Sequence, residues 1–345
     1  MQRRKFLAGS VAGALTLATS KAGAQDVITL RMHLLVPLET SLARGALVPF
    51  VEAVEADSGG RIKIEIYPSM QLGGSPFSLY DQARDGVVEF TQTVIGYTPG
   101  RFPKTETFEL PFLMSDVVST SVALQKFVDA HCMDEFTDVK LLAMNVHGPG
   151  MLHTRHPVTR LEDLRGMKIR GGSPLINDML AKLGAEPITL SITQLPEALT
   201  TGVIDGTTMP WDLTPTLKVP ELIHNHTEFA LGRGLYTLPF VFIMNRPAYE
   251  ALPDDLKAVI DKHSGVALAR TCGEVTAPGD VRARQIAVDL GNAIHTLDEA
   301  ETQRWIEAAQ PTIENWYAER EARGIDGRAL HQAAKDLIAE ETAGG

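Results

Sequence analysis

From Ile28 onward the chain repeats one rhythm: a short strand-forming run, a helix with apolar residues three or four positions apart, then another strand. ITLRMHLLV reads as the first strand. The helix that follows places Leu42, Leu47, Phe50, Val51 and Val54 on one face and is stopped by Ser58-Gly59-Gly60. RIKIEIY alternates as a strand, a helix surrounds Leu79 to Ala83, and VVEFTQTVI reads as a strand again. This alternation predicts an α/β fold with a mostly parallel sheet, whose ligands collect at the carboxyl ends of the strands.

The rhythm breaks at Gly148-Pro149-Gly150 and restarts with MKIR, PLINDMLAKLG, PITL, a helix from Gln194 to Thr201 and DGTTMPW. Two α/β lobes with a cleft between them follow from that restart. FVFIMN, beginning at Phe240, reads as one more buried strand, and helix-rich sequence runs from there to the end.

The N-terminus reads as an export signal over residues 1–24. MQRRKFL carries the pair Arg3-Arg4, an apolar stretch runs from Phe6 to Leu17, and Ala22-Gly23-Ala24 resembles a cleavage site. The pattern fits the twin-arginine type, with Sec export as the alternative because Gln2 stands where Ser or Thr is preferred. No later run reaches the roughly 18 apolar residues needed to span a bilayer, so a soluble, periplasmic mature chain is expected. Removing residues 1–24 takes away Arg3, Arg4, Lys5 and Lys21 and no acid, so the formal charge falls from −11 to −15. Such a surface argues against nucleic acid and anionic membranes, and any anionic ligand then needs a locally positive site. Cys132 and Cys272 lie far apart in helix-like sequence and are expected as buried thiols, with one disulfide as the alternative.

Arg170 is the most informative charge. Met167 and Ile169 alternate inward, so Arg170 falls where the strand hands over to Gly171-Gly172 and a helix capped by Ser173 and begun by Pro174. A guanidinium there can clamp a carboxylate through two parallel hydrogen bonds, or it can form an ordinary surface ion pair. Trp211, after Met209-Pro210 in a polar loop, can supply an apolar wall or simply bridge the lobes as packing. Tyr97 and Tyr236 are loop tyrosines, and His33, His147 and His153 sit at strand ends or in loops where they can line a cleft.

Catalytic patterns are missing: there is no GxSxG elbow, phosphate loop, HExxH, CxxC or GxGxxG after a strand. An enzyme is therefore not expected, nor a cofactor or metal. His224-Asn225-His226 lacks further ligands nearby and reads as a solvated loop. Asp254 and Asp255 read as charges at a helix start.

Five stretches carry a family resemblance: YPSMQLGG near 67, PGRFPKTETFELPFLM near 99, LEDLRGMKIRGGSPLINDMLAKLGAEPITL near 161, EALTTGVIDG near 197 and FVFIMNRPAYEALPDDLKAVID near 240. On these, in this order, the chain resembles the extracytoplasmic solute receptors of tripartite ATP-independent periplasmic (TRAP) transporters. The resemblance implies a two-lobed periplasmic-binding-protein-like fold with a ligand cleft and a long hinge helix. Lobe I would hold residues 25–150 and about 241–275, and lobe II 151–240 and about 276–345. It also implies capture of a small organic acid for delivery to membrane permease subunits, with Arg170 on the ligand carboxylate. Tyr97, His33, His147, His153, Tyr236, Met209 and Trp211 are the remaining pocket candidates.

Two departures narrow the ligand. A second arginine common in the family falls near Pro149, the usual Asn of the strand that follows aligns with His153, and a usual Asn-Pro pair is replaced by Met209-Pro210-Trp211. Both exchange polar groups for apolar ones and favour a monocarboxylate with an apolar or aromatic body, or a 2-oxo acid, over a dicarboxylate or sugar acid. An exported enzyme or sensor module acting on a carboxylic acid is the alternative.

Overall fold

A computed structural model describes residues 27–344; the expected export signal at 1–24 lies outside the described residues. Eleven strands form two sheets among the described residues. The first sheet uses β1 (Ile28–Leu34), β2 (Ile62–Tyr67), β3 (Phe90–Val94), β4 (Val139–Val146) and β10 (Pro239–Asn245), in the order β2-β1-β3-β10-β4. β1 runs parallel to β2 and β3, while β10 is antiparallel to both β3 and β4. The second sheet orders β11 (Ala293–Thr296), β9 (Asn225–Glu228), β5 (Met151–Thr154), β8 (Gly206–Met209), β6 (Lys168–Gly171) and β7 (Glu186–Thr189) in that sequence. The restart at Gly148-Pro149-Gly150 is thus the passage from one sheet to the other, and β10 is the return.

Each sheet has its own core. Met32, Leu34, Phe50, Val54, Ile62, Ile64 and Phe242 pack on one face of the first. Phe108, Phe127, Phe136 and Val241 pack on the other, which is why these strands read as near-continuous apolar runs. Ile169, Ile176, Met179, Leu180 and Trp305 fill the core of the second.

The long helix Val266–Asp289 joins the two. Its first half buries Leu268 and Cys272 in the core of the first sheet, where Gly273 lies against Val118 so closely that a Cβ would sit 2.7 Å from that residue's Cα. Its second half buries Ala283 and Ala287 in the core of the second. Pro278 stands between the halves and lacks the N–H that would bond back to the preceding turn.

The C-terminal helix Gly327–Gly344 departs from the expected lobe assignment. Ala334 and Ile338 pack with Phe127 and Val128, so this helix lies on the first sheet's side, and the span 276–345 does not belong wholly to the second. Apolar burial decides the placement, because the faces flanking β4 and the helix Val117–His131 would otherwise be open to water. The reading of His224-Asn225-His226 as a solvated loop is corrected in part: Asn225 and His226 belong to β9 and His226 is buried, whereas His224 precedes the strand and is exposed. Cys132 and Cys272 are buried free thiols in different cores, and burial pushes the Cys272 thiol up to about 12.

Candidate functional site

The two sheets present their strand ends to a shared cleft. Leu35, Val94 and Tyr97 from the first side form one apolar cluster with Met151, Ile169, Leu235 and Leu238 from the second. Within that closed contact lies a small space of about 40 Å³ walled by Leu35, Val94, Ile192, Met209, Pro210, Leu213, Leu238 and Phe240, with Tyr97, His147, Arg170 and Tyr236 as its polar-bearing residues.

Arg170 reaches this space from the carboxyl end of β6, where it pairs with Thr207 of β8 and Ile188 of β7. Only 3 % of it is exposed. Its Nε donates to the Leu190 carbonyl at 3.1 Å and one Nη faces the Tyr97 hydroxyl at 3.5 Å. No ion pair among the described residues includes Arg170. A buried cation without a counter-charge is costly, and the unused guanidinium edge points to an anion as the missing partner. Gly172 lies close beside it: a Cβ there would sit 2.6 Å from Leu238 Cδ1, so that leucine would have to shift to admit one.

His147 and Tyr236 line the same space but spend their polar atoms on the protein. The His147 imidazole takes the Leu238 N–H on Nε2 at 3.1 Å and donates from Nδ1 to the Gly148 carbonyl at 2.5 Å. Burial, reinforced by nearby Arg170, holds it neutral with a pKa of about 4. The Tyr236 hydroxyl donates to the Thr208 carbonyl at 2.9 Å, and burial pushes it up to about 12. Both therefore offer rings, at a 5.4 Å edge-on contact, as walls.

Three expected pocket residues lie elsewhere. His33 is buried between the Gln82 side chain (2.7 Å) and the Leu72 N–H (3.3 Å), behind β1. Trp211 turns into the second lobe's core: its Nε1 donates to Glu228, which Arg284 clamps with two bonds, and its ring packs on His153 and His226. His153 sits behind Met209. One proton arrangement satisfies that whole buried chain: Asn292 donates to His226, His226 Nδ1 to His153 Nδ1 (2.7 Å), and His153 Nε2 to the Met209 carbonyl (3.2 Å). Burial keeps both imidazoles neutral, at about 2 for His226 and about 4 for His153. His153 thus fixes the backbone of a wall residue rather than lining the wall.

A second small space, of about 30 Å³, adjoins the first through Val36, His147, Pro210, Leu213 and Phe240, and adds Gln92, Asn145, Thr40, Asp212 and Thr276. Two contacts tie the lobes around the cleft. Ser173 Oγ, capping the helix Pro174–Lys182, donates to buried Glu109 at 2.5 Å, and Ser41 donates to Asp212 at 2.6 Å. Asp280, on the long helix, accepts the Asp212 N–H at 2.7 Å and abuts Gly148, where a Cβ would lie 1.7 Å from its carboxylate. The apolar walls, Gln92 and Asn145 left no sequence signal, because residues lining a dry cleft have the same pattern as a core.

Comparison with known proteins agrees with this geometry. The C4-dicarboxylate-binding periplasmic protein DctP of Rhodobacter capsulatus is 26% identical over 325 residues, 93% of this chain and 96% of that one. A TRAP solute-binding protein from Rhodoferax ferrireducens, solved with copurified benzoate, superposes with a TM-score of 0.89 at 40% identity, over 92% of this chain and 99% of that one. A marine metagenome TRAP solute-binding protein specific for aromatic acid ligands, solved with 3-hydroxybenzoate, gives 0.89 at 42% identity over 92% and 99%. TRAP receptors are periplasmic, bind small organic acids and work with membrane permease subunits rather than as enzymes. Residues 36–320 match the family described as bacterial extracellular solute-binding protein, family 7, and the chain belongs to that family.

Proposed function

We propose that this protein is the periplasmic receptor for a monocarboxylate with an apolar, aromatic body, which it delivers to a TRAP permease. One observation carries the reading: Arg170 is a buried guanidinium with no protein carboxylate, facing walls that are otherwise apolar. The carboxylate would take the free edge of Arg170 with help from the Tyr97 hydroxyl, and Val94, Met209, Pro210, Leu213 and Phe240 would cover the ring.

The second anchor of a dicarboxylate has no evident place. Arg170 is the only cationic side chain among the described residues lining either space, and Asp212 lines the second. On the family resemblance, a second arginine common in the family falls near Pro149 in this chain. The 40–42% identical neighbours that hold benzoate and 3-hydroxybenzoate support the aromatic class, while the dicarboxylate relative is more distant at 26%. We take residues 27–150 with about 241–275 as one closing lobe and 151–240 with the rest, less the C-terminal helix, as the other. Ligand shifts the balance toward the closed form through contacts made only there.

A thermal-shift panel on the mature chain tests the proposal. Aryl monocarboxylates should raise the unfolding midpoint, since a ligand at 100 times its Kd adds about 2.7 kcal/mol. Stabilisation by succinate or glucuronate but not by benzoate would refute it.

A further inference from the structure

We propose that the cleft ends in an amide-lined subsite, formed by Gln92 and Asn145, that takes a hydroxyl at the far end of the ligand's apolar body. The inference rests on reading Arg170 as the carboxylate site. It makes the ligand class a hydroxylated aryl monocarboxylate.

The floor of the first lobe positions both amides. Gln92 and Val94 lie two residues apart on β3 and so share a face. Val94 pairs with Phe240 of β10, and Phe240 pairs with Asn145 of β4, so Val94, Phe240 and Asn145 form one cross-strand row with Gln92 at its corner. Val94 and Phe240 face the space that holds Arg170, whereas Gln92 and Asn145 face the adjoining one.

Elimination singles out these two. Of the other polar groups around the second space, Thr40 donates to the Pro37 carbonyl and Thr276 to the Cys272 carbonyl. Asp212 accepts from Ser41, and both His147 nitrogens bond to backbone. Gln92 is 1 % exposed and its Nε2 has no partner; Asn145 is 2 % exposed and makes only a 3.4 Å contact to the Val146 carbonyl. Buried amides left unpaired are uncommon and expensive unless a ligand completes them.

The chemistry of an amide selects the ligand group. Its N–H needs an acceptor and its C=O needs a donor. A hydroxyl is both in one atom, whereas a carboxylate donates nothing and would face Asp212 in the same space. A plain C–H edge would leave both amides unpaired in the closed state.

Calorimetric titration of the mature chain with benzoate and the three monohydroxybenzoates tests this. At least one hydroxy acid should bind roughly tenfold or more tightly than benzoate, the size expected from leaving a buried polar group unpaired. Gln92→Leu should erase that preference while holding benzoate within about threefold, and its unliganded midpoint should not fall, since no hydrogen bond is lost. Equal binding of all four acids, or a preference that survives in Gln92→Leu, overturns the subsite and leaves the Arg170 reading intact. Failure of all four acids to bind overturns both.

Discussion

Asp280→Asn should stabilise the protein at pH 8 much more than at pH 5. The Asp280 carboxyl sits under the crossover at Gly148, accepts the Asp212 N–H, and is pushed by burial up to about 7 from the ordinary 3.8, with the Asp212 carboxylate adding to the effect. A raised carboxyl pKa means that the native state holds a proton the unfolded chain has released. Between pH 3.8 and 7, stability therefore falls as pH rises, and above 7 the full cost is present. That interval corresponds to about 4 kcal/mol, of which about 2–3 kcal/mol develops between pH 5 and pH 8. An asparagine keeps an oxygen for the Asp212 N–H but carries no charge, so its advantage over wild type should grow by that amount. Denaturant unfolding of both proteins at the two pH values, compared at equal slope, reads the difference. An advantage that stays constant, or shrinks toward pH 8, would show that this carboxyl is not held in its neutral form and would refute the reasoning.

Other outcomes follow from the same geometry. Trp211→Phe should cost about 1–2 kcal/mol of stability, because it removes a hydrogen bond to Glu228 that Arg284 leaves in place, yet should change benzoate affinity less than threefold. A large loss of affinity with normal stability would return Trp211 to the pocket. Gly96→Ala places a Cβ 2.6 Å from Ser173 Cβ, across the contact between lobes. Overpacking there should weaken binding roughly tenfold and enlarge the liganded form in small-angle scattering, while unchanged affinity would show that the lobes do not meet there in the bound state. His153→Ala removes the side-chain donor from the Met209 carbonyl and the acceptor from the His226 Nδ1–H, and should cost about 2–4 kcal/mol; an unaltered denaturation midpoint would contradict the buried chain.

Much of this architecture is legible along the chain because local pattern and global packing agree. The strands at 28, 62, 90 and 240 announce themselves through β-branched and aromatic runs, and the break at Gly148-Pro149-Gly150 marks the change of sheet. The strand-end position of Arg170 beside two glycines and a capped helix is legible too, but the sequence alone left a surface ion pair open, and only the buried placement without a carboxylate partner separates the two readings. The failures have one physical origin: sequence position does not say which way a side chain points. Trp211 looks unpartnered in a polar loop, but Glu228 and Arg284 come from distant segments to claim it. His33 ends a strand at the cleft, yet Gln82 draws its ring to the other side. The C-terminal helix follows the second lobe in sequence and packs on the first, because the open apolar face is there. Gln92 hides in a strand where its neighbours are threonines, and only an unpaired amide in the folded chain reveals it.

The central claim is that Arg170 recognises the ligand's carboxylate. Calorimetric titration of benzoate into the mature chain and into Arg170→Met tests it most directly, since methionine keeps much of the side-chain volume while removing the charge and the donors. Losing a buried charge-assisted pair is worth about 2–5 kcal/mol, so the variant should bind at least about 30-fold more weakly with its fold intact. Benzoate affinity within threefold of wild type in a folded Arg170→Met protein would contradict the account.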